Sequence, residues 1–202
     1  FYSDAMDELG SFAIKHNIPV TQTVMGYSTM KRDHSHFLGP IGGLGGKAAN
    51  NLAKETDLAI CVGTKLADFT TGSWANFENP EFKLVSINIA RHDANKHLAE
   101  AVIGDAKVCL SELSNSLGNW KSPISWHKKS QDELKSWNEY VDKESGPTNQ
   151  ETPNYAHAVG AIYRNSDPTD IAVTAAGGLV GEVVQVWRPR ELNTHETEWG
   201  FS

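Results

Sequence analysis

A chain of 202 residues with 39% hydrophobic and 21% charged side chains is long enough to bury a sizeable core and ordinary in charge content. The formal net charge of −7 excludes nucleic acid as a main partner, because phosphate contacts demand clustered Lys and Arg. No apolar run approaches the ~18 residues of a membrane span, and the opening Phe1-Tyr2-Ser3-Asp4 has no signal-peptide pattern, so the expectation is a cytoplasmic protein.

In chain order, Asp4 to His16 reads as an amphipathic helix, with Ala5, Leu9, Phe12 and Ala13 at helical spacing. Ile18 to Val24 reads as a strand. Met25 to Pro40 reads as a long loop, a length that usually covers a site or an interface. Gly39, Gly42, Gly43, Gly45 and Gly46 then form a loop whose backbone can take positive φ and approach another surface closely. Lys47 to Lys54 carries Ala48, Ala49, Leu52 and Ala53 at helical spacing. Asp57 to Gly63 is a short apolar run closed by glycine, as a fully buried parallel strand would be. Loop, helix and strand in this order make half of a Rossmann-type unit, in which bare amides can receive a phosphate.

The loop has two readings. Gly43-x-Gly45-x-x-Ala48 matches the dinucleotide-binding pattern, yet polar residues Lys31 to His36 stand where a strand should lead in. It is not a Walker A loop, since Ala48 follows Gly46-Lys47 where Ser or Thr belongs. The alternative is a glycine turn that lets the helix pack close to the sheet. The residues leave both open.

Gly63 to Pro80 is a second irregular stretch, leaving the C-terminal end of a strand, where open α/β sheets bind ligands. Lys83 to Ile89 is a strand, His92 to Leu98 a helical turn and Glu100 to Gly104 a short strand. Asp105 caps a helix from Ala106 to Leu117, with Val108, Leu110 and Leu113 facing inward. This alternation predicts an α/β fold, a Rossmann-like parallel sheet covered by helices. Ser125 to Asp142 reads as a helix with Trp126, Leu134, Trp137 and Val141 along one side, and Glu144 to Pro153 as a polar linker. A partial second α/β unit follows: helix Asn154 to Asn165 with Asn154 or Thr152 near its cap, strand Asp170 to Thr174, the turn Ala175-Ala176-Gly177-Gly178, helix Leu179 to Trp187, and a strand starting within Glu191 to His195.

The two cysteines, Cys61 and Cys109, lie in apolar runs and read as small buried hydrophobes in a reducing compartment. The eight histidines are scattered, with no metal-ligand spacing on a predicted helix. Both ends look cut: no strand precedes the first helix, and Glu198-Trp199-Gly200-Phe201-Ser202 closes without a helix.

The order of these motifs resembles one family. The segment GPIGGLGGKAANNLAKETDLAICVGTKLADFTTGSW, then Ile87-Asn88-Ile89, then Gly104-Asp105-Ala106, is similar to the central domain of thiamine-diphosphate (ThDP) enzymes of the acetolactate synthase type, a fold shared with NAD/FAD-binding sirtuin-like (DHS-like) domains. DIAVTAAGGLVGEVVQVW resembles the start of that family's diphosphate-binding domain. The closing segments resemble the branch that hydrolyses a carbon–carbon bond in a cyclic 1,2-diketone during inositol breakdown.

The resemblance implies a central domain over residues 1–144 lacking its first strand, a linker over 145–152, and a truncated diphosphate-binding domain over 153–202. It implies ThDP and Mg²⁺ as cofactors of the full-length parent, with missing N- and C-terminal domains as partners and a homo-oligomer as the assembly. The turn contacting the cofactor diphosphate falls on Gly177, Gly178 and Leu179, and Gly200 leads into the segment beneath the aminopyrimidine. No catalytic residue and no metal ligand falls within the chain, so the fragment alone is expected to be inactive. Some relatives bind FAD near Gly43-Leu44-Gly45, Asp68 to Thr71 and Asn88; Leu44 and Asn88 depart from their pattern and count against FAD. The alternatives are a fragment of an acetolactate synthase-like carboligase or lyase, a non-catalytic nucleotide-binding module, and a scaffold whose exposed apolar faces promote association.

Overall fold

The computed structural model describes residues 1–198. It has parallel sheets flanked by helices, an α/β fold. The elements in order are α1 (Met6–His16), β1 (Val20–Gln22), β2 (Phe37–Pro40), α2 (Lys47–Glu55), β3 (Leu58–Val62), α3 (Asp68–Thr71), β4 (Lys83–Asn88), α4 (Arg91–Ala94), β5 (Glu100–Ile103), α5 (Ala106–Leu117) and α6 (Ile124–Glu144). Then come α7 (Tyr155–Asn165), β6 (Ala172–Thr174), α8 (Val180–Val186) and β7 (His195–Thr197). Every strand pairing is parallel: β1 with β2, β3 with β4 and β4 with β5, and β6 with β7. Helices α3, α4 and α8 lie in the crossovers of the β3–β4, β4–β5 and β6–β7 pairs, while the β1–β2 crossover holds only a single helical turn.

Several local signals act as read. Asp105 accepts hydrogen bonds from the amides of Lys107 and Val108, capping α5. Asn154 accepts from the amide of His157, whose ring accepts from the amide of Asn154, a reciprocal cap on α7. Leu134 and Val141 of α6 are buried, while Trp126 and Trp137 are half-buried against the main core. That core joins Tyr27, Met30, Phe37, Leu38 and Ile41 to the alanine face of α2 and to Leu134.

Three expectations are corrected. The stretch Met25 to Pro40 is not one loop: it ends in β2, and a single helical turn spans Val24–Gly26. Gly39 at φ +91 and Pro40 disguise a strand whose four residues are all buried. So a strand does lead directly into the glycine loop. The strand β3 is parallel but not fully buried, and Leu58 is 44% exposed, because β3 pairs on one side only. In α5 only Leu110 is buried, and Val108 is 59% exposed. The last strand falls at β7, at the end of the stretch expected for it.

The regions before and after the linker keep separate sheets but share apolar contacts. Val141 of α6 packs with Val159, Tyr163, Val183, Val186 and Trp187, and Val24 and Leu44 pack with Val180 and Val184. Backbone bonds add to this: Arg32 N–H donates to Pro189 C=O at 2.7 Å and Asn193 N–H to Ser28 C=O at 3.1 Å. Buried Arg188 reaches back to α6, donating to Asn138 at 3.0 Å and pairing with Asp142.

Candidate functional site

Two glycine turns lead into helices, and their surroundings differ. In the first, the protein itself takes up the backbone amides. Gly42 N–H donates to the Asn50 side chain at 3.0 Å, and Asn50 donates back to Gly42 C=O. Gly43 N–H donates to Phe69 C=O, Gly45 N–H to Gly42 C=O, and Gly46 N–H to Pro40 C=O, at 2.7, 2.9 and 2.8 Å. A Cβ at Gly42 would sit 2.0 Å from Phe69 O, and one at Gly45 would sit 2.4 Å from Ile41 C. Gly42 also has φ +107, a region costly for any side chain. These glycines are required for close backbone approach. Trp137 of α6 covers the start of α2: its Nε1 lies 2.8 Å from where a Gly46 Cβ would be. Of the two readings open to the sequence, the geometry favours packing.

The second turn, Ala175 to Leu179, is exposed throughout. Among the described residues, none of its five backbone N–H groups meets a protein acceptor. A Cβ at Gly177 would meet nothing within 4 Å, and one at Gly178 would touch only the Tyr155 ring edge at 3.8 Å. Gly177 has φ +148, which favours glycine. Such a run of free amides suits phosphate oxygens, since side-chain identity matters little there. The structure thus brings Gly177, Gly178 and Leu179 together on one open turn, while Gly200 lies outside the described residues.

Behind this turn, β6 and β7 are tied into the rest of the chain by a buried polar layer. Thr174 and Thr197 hydroxyls lie 3.1 Å apart, and His195 N–H donates to Ser28 Oγ at 3.2 Å. His195 is buried against the fully buried Tyr27, ring centroids 5.2 Å apart and edge-on. Burial pushes the His195 imidazole down to about 4 and raises the Tyr27 phenol above its usual range. Tyr163 donates to Arg188 C=O at 2.9 Å, accepts from Arg32 at 2.8 Å, and carries the Arg190 guanidinium 4.6 Å above its ring. Sequence reading missed this layer, because its members are scattered single residues with no shared spacing.

No cluster of three metal-ligating side chains occurs among the described residues. Cys61 and Cys109 are free, and burial raises the Cys61 thiol to about 12, which keeps it protonated and unreactive at neutral pH.

Residues 1–113 match the family profile described as thiamine pyrophosphate enzyme, central domain. The chain belongs to that family. Across its full length it is also similar to curated proteins named 3D-(3,5/4)-trihydroxycyclohexane-1,2-dione hydrolase. Identity is 33% to that of Clostridium perfringens strain 13, 34% to that of Clostridium botulinum strain Alaska E43 and 33% to that of Bacillus anthracis strain CDC 684. Each alignment covers 100% of this chain and 35% of the relative. The chain therefore spans about a third of the length of the curated relatives it matches. Membership in this thiamine family confirms the α/β fold expected from the motifs and makes thiamine diphosphate its family cofactor. No helix among the described residues is long and apolar enough to cross a membrane.

Proposed function

We propose that this chain is part of a ThDP- and Mg²⁺-dependent hydrolase that opens a cyclic 1,2-diketone, trihydroxycyclohexane-1,2-dione, to 5-deoxy-glucuronate in inositol catabolism. The supporting observation is end-to-end similarity to proteins named for hydrolysing that diketone, in a chain whose second glycine turn leaves its amides open. In this reading residues 1–144 are the central domain, 145–152 the linker and 153–202 the first part of the diphosphate-binding domain.

The turn at Gly177, Gly178 and Leu179 would hold the cofactor diphosphate through backbone N–H groups. Unbranched glycine backbone lets the phosphate oxygens approach, and the parallel β6–β7 pair fixes the turn from behind. When bound, ThDP supplies the nucleophilic carbon; the chain supplies position and electrostatics. The chain's remaining task is mechanical: α6 and the Arg188 layer hold this turn in a fixed relation to the central domain. Mg²⁺ ligands and the catalytic acid–base group would come from the missing N- and C-terminal domains of the same enzyme, assembled as a cytoplasmic homo-oligomer.

On this reading the 202-residue chain alone has one wall of a cofactor site. Calorimetric titration of it with ThDP and Mg²⁺ is expected to give no saturable heat and no diketone hydrolysis. Saturable, Mg²⁺-dependent heat would overturn the reading that the cofactor site is incomplete here.

A further inference from the structure

Three histidines from distant parts of the sequence meet beside the start of α6. His34 and His36 lie in the turn leading into β2, and His127 lies on the first turn of α6. The His36 ring stacks on His127 at 4.2 Å between centroids, with 20° between the planes, and the His34 ring is tilted 6.0 Å from His36. His36 is 6% exposed, and the other two are half-buried.

The hydrogen bonds suit neutral rings. Asn17, at the end of α1, donates its Nδ2 to Ser122 C=O at 3.1 Å, so its Oδ1 faces His36 Nε2 at 3.3 Å and takes a proton from it. His36 Nδ1 then accepts from the Ser35 hydroxyl at 2.9 Å. His34 Nδ1 accepts from the His36 backbone N–H at 3.2 Å. His127 Nδ1 is buried with no hydrogen-bond partner among the described residues.

No carboxylate stands ready for a further proton on His36. The titratable groups acting on it are His127 and His34, and both oppose its charge. Asp33 acts on His34. The charges nearby on α1 and α6 are engaged elsewhere: Glu8 with Lys107, Lys15 with Ser114, Lys128 with Asp132 and Lys129 with Glu55. A charged His36 would therefore sit desolvated, face to face with a second imidazole. Moving the first turns of α6 aside separates the stack and gives both rings water. Little core is lost in that step. The first buried apolar side chain of α6 is Leu134, and before it only half-buried Trp126 touches the main core.

We propose that the His34–His36–His127 cluster is an acid-released latch: at neutral pH the stack holds the first turns of α6 against α1 and β2, and a proton on the cluster opens that contact while the core stays folded. Leu134 belongs to the main core and Val141 to the second, so the latch guards one end of the helix that joins the two regions. It uses none of residues 175–179 and stands apart from the thiamine reading. Burial first, then the two neighbouring rings, hold the closed His36 imidazole down to about 4, against an ordinary 6.5 once opened. Between those values the open form binds more protons, so opening gains as pH falls through that window and is unchanged above it.

The test is hydrogen exchange of the 202-residue chain at about pH 7.5 and about pH 5, read as protection factors corrected for the intrinsic rate. Amides 126–130 of α6 are expected to lose at least roughly tenfold in protection at the lower pH, within what one shifted group can supply. They should stay less protected than β4 at both values. His36→Gln should remove the loss at 126–130. Unchanged protection there at the lower pH, protection equal to that of β4 at both values, or the same loss in folded His36→Gln would overturn the proposal. If the variant fails to fold, the comparison of 126–130 with β4 in the unaltered chain still decides it.

Discussion

The glycine loop at 42–46 and the glycine turn at 175–179 carry the same local signal, small residues leading into a helix, and the structure uses them in opposite ways. The first is closed: four of its amides donate to protein acceptors, and Gly42 and Gly45 have no room for a Cβ. The second is open: among the described residues its amides have no protein acceptor, and its glycines have space around them. A glycine before a helix therefore says that backbone must come close to something. Whether that something is the protein's own chain or a ligand depends on what the fold brings opposite. For the first loop it is the main chain at Phe69, distant in sequence, and the side chain of Asn50, eight residues on in α2.

The contrast breaks most sharply under substitution. Gly42→Ala combines φ +107 with a Cβ 2.0 Å from a carbonyl oxygen, and should cost about 3 kcal/mol or more in chemical denaturation. A loss below about 1 kcal/mol would mean the loop can shift and is not locked by packing.

Acid tests both regions together, since His36 belongs to the first and His195 to the second. His36 is buried, its ring stacked on His127 at 4.2 Å between centroids. Desolvation first, then the neighbouring His127 and His34, pull it down to about 4; desolvation alone does the same for His195. Unfolded, both would titrate near 6.5. Between those values the unfolded chain binds more protons, so stability rises with pH there. The melting temperature should fall steadily from about pH 6.5 to about pH 4 and show no change from these groups above that range. His36→Gln should flatten the part of the slope owed to the first region, and a slope that stays the same would place the acid sensitivity elsewhere.

The smallest effect belongs to the open turn. Gly178→Ala meets only a ring edge at 3.8 Å and should change stability by no more than about 0.5 kcal/mol. A large loss would show that this turn, too, is held by contacts.

Much of the architecture was legible because periodicity and caps are local. The helices before and after the linker, the Asp105 and Asn154 caps and the strand–turn–helix at 172–186 all follow from residues within a few positions of each other. The strand β2 was not legible, because Gly39 and Pro40 are poor strand formers and tertiary burial overrides that preference. The exposed side of α5 and of β3 was also hidden, since an apolar run does not reveal which neighbours are present. At the candidate site, the open turn could be placed from the motif order alone. The role of the first loop could not, because its partners Phe69 and Trp137 become visible only in three dimensions.

Hydrogen exchange read amide by amide tests the central contrast most directly. The account predicts strong protection at Gly42, Gly43, Gly45 and Gly46, and exchange near the unprotected rate from Ala175 to Leu179. Comparable protection at the two sets, or protection only at the second, would contradict it.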